Sequence, residues 1–377
     1  MSLILTLAAR NLFHDRLRFV ATLIGIVFSM ILVTVQMGLY LGFGRMVTTM
    51  IDHAGADLWI MPLGTKCFED SSPLDDSKRF RALSMKGVAD AVPVVIGFAP
   101  WKMPGGGTSP VFLIGSNLRS GGLRPWNVVA GSIEALEIPG AIAVDRSYLD
   151  RLGISGLGAT AEIRDQKVEV RALTRGIRSF TTTPYLFAPL ERARAYTGMA
   201  PNKESYILVR VARNADIATV RRRLQSNIAD VEVLTPAEFR NRSRSFWLFG
   251  TGAGAGLFAG ALLGIIVGTV IVAQTLYAST KDHLNEFATL RAIGSSGRYI
   301  YKVIISQAVL SAVIGFCIAA AVGLLIVRAT AETALPIMLT PVMTVALFAL
   351  AVVMCVLSAV GAIAKVMRID PAMVFTR

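Results

Sequence analysis

FWLFGTGAGAGLFAGALLGIIVGTVIVAQTLYAST, residues 246–280, runs for 35 positions without one Asp, Glu, Lys or Arg. A helix rises 1.5 Å per residue, so about 20 apolar residues cross the hydrocarbon of a bilayer, and this stretch is longer than that. Three others resemble it: residues 19–44, 303–327 and 333–364, with 26, 25 and 32 uncharged positions. They explain why a chain of 377 residues is 54% hydrophobic and only 17% charged, where a soluble one carries about a quarter charged residues. A soluble enzyme is excluded. The chain reads as an α-helical membrane protein with four transmembrane helices.

Between the first two helices lies a block of ordinary polar composition, residues 45–245, with 27 Lys and Arg against 20 Asp and Glu. A block of about 200 residues can bury its own core. Val-, Ile- and Phe-rich runs predict strands at 56–63, 92–98, 110–115, 160–163, 167–173, 185–188 and 206–211. Helices are predicted at 145–152, 190–196 and 216–228, and loops at 71–76 and 105–107. The fold expected is four transmembrane helices plus an α+β periplasmic domain inserted between helices 1 and 2.

The remaining boundaries follow. Residues 1–18 form an amphipathic cytoplasmic helix, with Leu3, Ile4, Leu7, Ala8 and Leu12 on one face. The spans are 19–44, 246–280, 303–327 and 341–364. A cytoplasmic coupling loop takes 281–302, a short periplasmic loop 328–340 and a cytoplasmic tail 365–377. Orientation comes from the short segments. Arg10, Arg16 and Arg18 precede the first span, Lys281, Arg291, Arg298 and Lys302 separate the second and third, and Lys365, Arg368 and Arg377 follow the fourth. The loop between spans three and four has only Arg328, opposed by Glu332. The positive-inside rule then places both termini in the cytoplasm of a bacterial inner membrane. The basic flank of the first span suits an uncleaved signal anchor, since its uncharged run of 26 residues is longer than the apolar region of a signal peptide.

The second span carries Gly252, Gly256, Gly260, Gly264 and Gly268, a glycine at every fourth position. Small residues on one face let another backbone approach closely, and the partner is either span one or a second copy of the chain. Ser311, Gly315, Ala319 and Gly323 repeat the pattern in span three.

Several chemistries are set aside. The net charge of +13 holds no basic run beyond Arg221-Arg222-Arg223, which reads as a solvated helix face, so a lipid bilayer and not nucleic acid is the expected partner. The run from Gly250 to Ala255 fits G-x-G-x-x-A but follows no strand, and no G-x-x-x-x-G-K-[ST] occurs. His14, His53 and His283 lie far apart, and no metal site is expected; Asp52, His53 and Asp57 read as a surface anchor. Cys67, Cys317 and Cys355 supply no disulfide framework. Inside the spans the polar residues are amides and hydroxyls such as Gln36, Gln274 and Gln307, which give a proton gradient no handle. No paired acids or nucleophile–His arrangement stands out. Trp59, Trp101 and Trp126 either fill the core or line a partner contact.

Residues 278–302, ASTKDHLNEFATLRAIGSSGRYIYK, are the most informative. A short helix from Asp282 to Ile293 sets Leu284, Phe287, Leu290 and Ile293 on one side and Glu286 elsewhere, and Gly294 begins the stop. An apolar edge in a cytosolic loop is a docking surface. The run EFATLRAIGSS, with SQAVLSAVIG after it, resembles the coupling-helix signature of FtsX/MacB-type (type VII) ABC transporter permeases, and KVMRIDPAMVF, residues 365–375, is similar to that family's ending. TLIGIVFSMILVTVQMGLYLGF (22–43) and VADAVPVVIGFAPWKMP (88–104) resemble the DevC-like subgroup. The resemblance implies a non-catalytic permease that pairs with a second copy of itself. A separate ABC ATPase dimer would grip Leu284, Glu286, Phe287, Leu290, Arg291 and Gly294. It also implies a periplasmic adaptor (membrane fusion protein), a TolC-like outer-membrane channel and export of a lipidic or amphipathic substrate by mechanotransmission. The chain itself would hold no cofactor, ATP and Mg being bound by the ATPase; the fused ATPase domain of MacB is absent from this sequence. The alternatives are an FtsX-like transducer that activates a cell-wall hydrolase, and a lipoprotein-extracting permease.

Overall fold

A computed structural model describes residues 3–118, 121–282, 297–331, 333 and 335–366. They belong to two compact units: one formed by the apolar helices, the other by residues 42–254 together with 332–335.

Among the described residues four helices are long and apolar enough to cross a membrane: TM1 (Arg16–Met46), TM2 (Ala253–Asp282), TM3 (Gly297–Thr330) and TM4 (Pro341–Val366), preceded by a short helix Leu3–His14. Asp15 separates that helix from TM1 and accepts from the Arg18 N–H at 3.5 Å. TM4 starts where Pro341 needs no N–H partner, and the Thr340 hydroxyl caps it by accepting from Met343 N at 3.2 Å. The helices share a core built from Ile26, Met30, Val272, Ile304, Ala312 and Met354. Phe28, Phe258, Leu262, Leu325 and Leu357 stay on the outside, as expected of helices whose outer faces meet lipid and not water.

The second uncharged stretch does not begin as a membrane helix. Helix Pro236–Ser245, closed at its start by a Thr235–Glu238 capping box, continues into a π-turn, Phe246–Gly250, and TM2 starts only at Ala253. Gly252 lies in the left-handed region at φ 76°. A Cβ on Gly254 would lie 2.5 Å from the Leu248 carbonyl oxygen, so the reversal closes only over glycine. Hydropathy alone merges this turn with the span because both are uncharged.

The outer unit is built on strands β1 (Leu58–Pro62), β2 (Leu74–Asp75), β3 (Val88–Lys102), β4 (Thr108–Ser116), β5 (Val128–Gly131), β6 (Ala141–Asp145), β7 (Thr160–Ile163), β8 (Gln166–Thr174), β9 (Tyr185–Pro189), β10 (Lys203–Glu204), β11 (Tyr206–Val211) and β12 (Val231–Leu234). Ten form one mixed sheet in the order β12-β1-β11-β3-β4-β9-β6-β8-β5, while β7 pairs with both β3 and β8. Those last pairings close a ring, β3-β4-β9-β6-β8-β7. All six strands of the ring give alternate residues to one cluster, among them Trp101, Val111, Leu186, Val144, Val170 and Ile163. β3 is long enough to serve two neighbourhoods: Val88–Val94 pair with β11, and Trp101 and Lys102 with β7. Beside the ring, β1, β11 and β12 pack on helix Ile217–Asn227 through Leu58, Ile207, Val209, Val220 and Leu224. The ring is thus inserted into a smaller layer made of the two ends of the block.

Strands β5, β6 and β12 and helices Ser77–Leu83 and Pro236–Ser245 go beyond the sequence-based expectation, and the expected helix 145–152 is a 3₁₀ turn, Arg146–Tyr148, followed by the single α-turn Leu149–Leu152.

Candidate functional site

The expected docking residues Leu284, Glu286, Phe287, Leu290, Arg291 and Gly294 lie outside the described residues. Just before them, Arg18 of TM1 pairs with Asp282 and donates to the Ala278 carbonyl at 3.4 Å, fastening that end of TM2 to TM1.

The glycine stripe divides. A Cβ on Gly260 would meet Gln36 at 2.7 Å, one on Gly264 would meet Leu32 at 3.2 Å, and one on Gly268 would meet the Ser29 hydroxyl at 2.3 Å. As TM2 numbers rise, the TM1 partners fall, as in an antiparallel pair. The Ser29 hydroxyl donates to the Gly264 carbonyl at 2.7 Å, which the missing side chain leaves open. TM1 answers with Gly25, whose Cβ would run into Ile271 at 2.5 Å. Gly252 and Gly256 are not in this contact: Gly252 precedes the helix, and neither has an atom within 4 Å of an added Cβ. Within the described chain the partner of Gly260, Gly264 and Gly268 is TM1, with Met354 of TM4 also reaching Gly268.

In the outer unit, three chain ends converge on one loop. The loop between β8 and β9 is held by two buried side chains: Asp145 accepts from Ile177 N at 2.8 Å, and the Tyr148 hydroxyl accepts from Ser179 N at 2.9 Å. Burial pushes the Tyr148 phenol up to about 12, so it stays protonated. On this loop Phe180 packs edge-on against Phe43, at the end of helix Arg16–Met46, with centroids 5.0 Å apart, and against Trp247 of the π-turn at 4.3 Å. Its neighbour Arg178 donates to the Thr333 carbonyl, in the connection between TM3 and TM4, at 2.7 Å. Phe43, Trp247 and Thr333, each near a place where the chain leaves this unit, therefore all touch residues 178–180.

A carboxylate completes the arrangement. Glu69 accepts from the Trp247 indole N–H at 3.1 Å with one oxygen and from the Tyr185 hydroxyl at 2.9 Å with the other. Glu69 is placed by a strap whose Cys67 and Phe68 carbonyls both accept from the buried Tyr206 hydroxyl, at 3.2 and 2.8 Å. Part of Glu69 opens onto a cavity, but protein surrounds the carboxyl. Desolvation raises its pKa above the ordinary carboxylate value, against the lowering effect of its hydrogen bonds. Burial, then the nearby Glu69, pushes the Cys67 thiol up to about 12, leaving it protonated and unreactive.

The other residues singled out in the sequence scatter. Asp52 pairs with Arg240 at 2.8 Å, Asp57 accepts from Val211 N at 2.7 Å, and His53 stacks on Trp126 at 3.9 Å between centroids. Trp59 and Trp101 are fully buried in the core. Arg221 pairs with Glu238 at 2.8 Å. Among the described residues no three His, Cys, Asp or Glu gather to hold a metal. Sequence reasoning passed over Glu69, Phe180 and Trp247. The one available signal was the Phe246-Trp247 pair at the head of an uncharged run, which was absorbed into the span.

A family model described as the MacB-like periplasmic core domain matches residues 19–227, and one described as the FtsX-like permease C-terminal matches residues 258–371. Among solved structures, the periplasmic region of MacB from Actinobacillus actinomycetemcomitans is 11% identical with a TM-score of 0.38, over 51% of this chain and 94% of that one. The extracellular domain of the noncanonic ABC-type transporter YknZ from Gram-positive bacteria is 16% identical with a TM-score of 0.34, over 48% and 99%. A permease domain from Porphyromonas gingivalis is 14% identical with a TM-score of 0.30, over 48% and 90%. No curated protein matches the chain.

Proposed function

Since this chain belongs to the FtsX/MacB-type permeases of ABC transporters, a family of multi-pass transporter subunits that implies an ABC ATPase partner, we propose that it works as a mechanical transmitter. An ATPase dimer docks on the cytoplasmic loop through Leu284, Glu286, Phe287, Leu290, Arg291 and Gly294. Its closure on ATP tilts TM1 and TM2, and the outer domain follows, so that a lipidic or amphipathic substrate is exported without crossing the bundle. The chain acts as a homodimer in the bacterial inner membrane, with both termini cytoplasmic and the large domain periplasmic. A periplasmic adaptor and a TolC-like outer-membrane channel complete the path, in the manner of the DevC-like subgroup. ATP and Mg stay on the partner.

One observation carries this reading: Phe43, Trp247 and Thr333, each near a place where the chain leaves the outer unit, all contact residues 178–180. A lever needs its inputs joined at a stiff point, and a loop pinned by Asp145 and Tyr148 supplies one. The test is reconstitution with the ATPase. Phe287→Asp or Leu290→Asp should abolish ATPase recruitment while the protein still inserts. Phe180→Ala should leave recruitment and hydrolysis in place and cut transport about tenfold or more, because only the joint is lost. Transport at the wild-type rate by Phe180→Ala, or recruitment surviving both charge substitutions, would falsify the transmission reading.

A further inference from the structure

Beside the transmission loop, wholly within the outer unit, lies a cavity of about 230 Å³. Aromatic side chains dominate its wall: Phe98, Phe112, Tyr185, Phe246 and Trp247. Phe112 and Tyr185 are buried, with ring centroids 5.7 Å apart, while Phe98 stands 58% exposed and edge-on to Phe112 at 4.9 Å. The charged groups in the wall are Glu69 and Asp70, and among the described residues no Lys or Arg lines it. Lys66, with Nζ 6.0 Å from the Phe246 ring centroid, is outside the lining.

This combination narrows the ligand. A wholly apolar cavity would suit a neutral guest, but this one has Glu69 in its wall, and desolvation penalises the charged form of that carboxyl as long as no cation is near. An inorganic divalent ion keeps a shell of oxygens, its own waters included, or takes deprotonated sulfur, imidazole and carboxylate, and in either case it needs polar surroundings. Here the wall offers two acids among ring faces, and the Cys67 thiol is held protonated by burial. Ring faces carry negative potential and attract cations that shed water easily, which alkylammonium groups do and small metal ions do not. The volume holds such a head and the start of a chain, and the exposed Phe98 would lie along that chain.

We infer that this cavity is a binding site for the alkylated ammonium group of an amphipathic molecule, seated among Phe98, Phe112, Tyr185, Phe246 and Trp247 with Glu69 as its counter-ion. Because Glu69 also accepts from Trp247, an occupant touches the joint at which the chain leaves the domain. The inference goes beyond the transmission reading and does not depend on it: binding needs no ATPase.

The experiment titrates the purified full-length chain, in phosphatidylglycerol nanodiscs, with choline and with its uncharged isostere 3,3-dimethylbutan-1-ol, following tryptophan fluorescence. Choline should bind about tenfold tighter than the isostere. Glu69→Gln, which keeps an acceptor for Tyr185 or Trp247, should remove that preference. Phe98→Ala, at a position more than half exposed, should weaken hexyltrimethylammonium more than choline. Trp247→Phe should erase the signal but keep binding measurable by calorimetry. Equal binding of choline and the isostere, an unchanged preference in Glu69→Gln with an unchanged melting temperature, or no binding of either probe would each overturn the proposal. Repeating the titration with phosphatidylcholine in the disc identifies the source: competition marks a lipid headgroup and its absence a soluble amine, and either keeps the ammonium site. Loss of binding would leave the Phe287→Asp and Phe180→Ala outcomes untouched, so the two readings fail separately.

Discussion

Where TM1 and TM2 meet, the contact is made of absences: Gly25, Gly260, Gly264 and Gly268 yield space to Ile271, Gln36, Leu32 and Ser29. Where the strands of the outer unit meet, it is made of bulk, with Trp101, Tyr148, Tyr196, Trp59 and Phe239 fully enclosed. The solvent explains the difference. Lipid is as apolar as a leucine side chain, so helices gain by close approach and not by hiding hydrocarbon. Water rewards each buried aromatic area directly. A helix pair joined along small residues has few interlocking side chains to resist a tilt, while a ring of six strands around one core moves as a body. That contrast is what a transmitter needs, and it can be tested from both sides.

The largest effect is expected in the ring. Trp101 is buried at the β3–β7 closure, and its indole N–H donates to the Leu152 carbonyl at 3.0 Å. Trp101→Ala opens a large cavity and should destabilise the outer unit by about 3–5 kcal/mol. Denaturant melts of the full chain in detergent, followed by tryptophan fluorescence, would measure it. A loss under about 1 kcal/mol would mean that the ring does not act as one body.

The sequence disclosed the two units unequally. The spans were legible because an uncharged run of that length has few other uses, and the runs at 92–98, 110–115 and 206–211 fall within β3, β4 and β11 because β-branched and aromatic residues crowd them. β6, AIAVD, escaped because two of its four apolar residues are alanines with little strand preference; its place inside the sheet comes from partners β8 and β9, more than twenty residues away in the chain. The glycine stripe was readable as a packing face, but its extent was not: Gly252 has the right spacing and sits in a turn. Glu69 was invisible, since a single Glu acquires meaning only when Tyr185, Trp247 and Tyr206 are brought to it from distant strands and turns.

A charge inside the outer unit gives a smaller effect with a sign that can be checked. Glu204 of β10 is fully buried and accepts from Arg79 at 3.0 Å, with Arg194 at 3.7 Å, while its second oxygen has no hydrogen-bond partner among the described residues. Desolvation raises its pKa to about 7, against the lowering pull of both arginines. The folded protein therefore holds this proton over a range where the unfolded chain, titrating near 4.3, has released it. The stability contribution is complete below that lower value and is lost as pH rises through about 7. Between pH 4.5 and 7.5 the wild type should lose on the order of 1–3 kcal/mol relative to Glu204→Gln. If the wild type gains stability over that range relative to the variant, the arginines and not desolvation control the carboxyl.

The bundle offers the finest test, because its contact can be overfilled and then relieved. An added methyl at Gly268 would sit 2.3 Å from the Ser29 hydroxyl and 2.4 Å from its Cβ, while the Met354 sulfur at 3.2 Å is the end of a flexible chain that can turn aside. The TM1 backbone must then retreat, which also stretches the 2.7 Å bond from Ser29 to the Gly264 carbonyl. Gly268→Ala should destabilise the bundle by about 1–2 kcal/mol in a dodecyl sulfate titration of helix content. Gly256→Ala, on the same helix with nothing within 4 Å, should leave the titration unchanged. Adding Ser29→Gly to Gly268→Ala removes both clashing atoms and should restore part of the loss, a non-additivity that two independent sites cannot show. If Gly268→Ala and Gly256→Ala behave alike, TM1 is not what Gly268 makes room for, and the contrast between a helix pair joined by small residues and a ring joined by large ones does not hold.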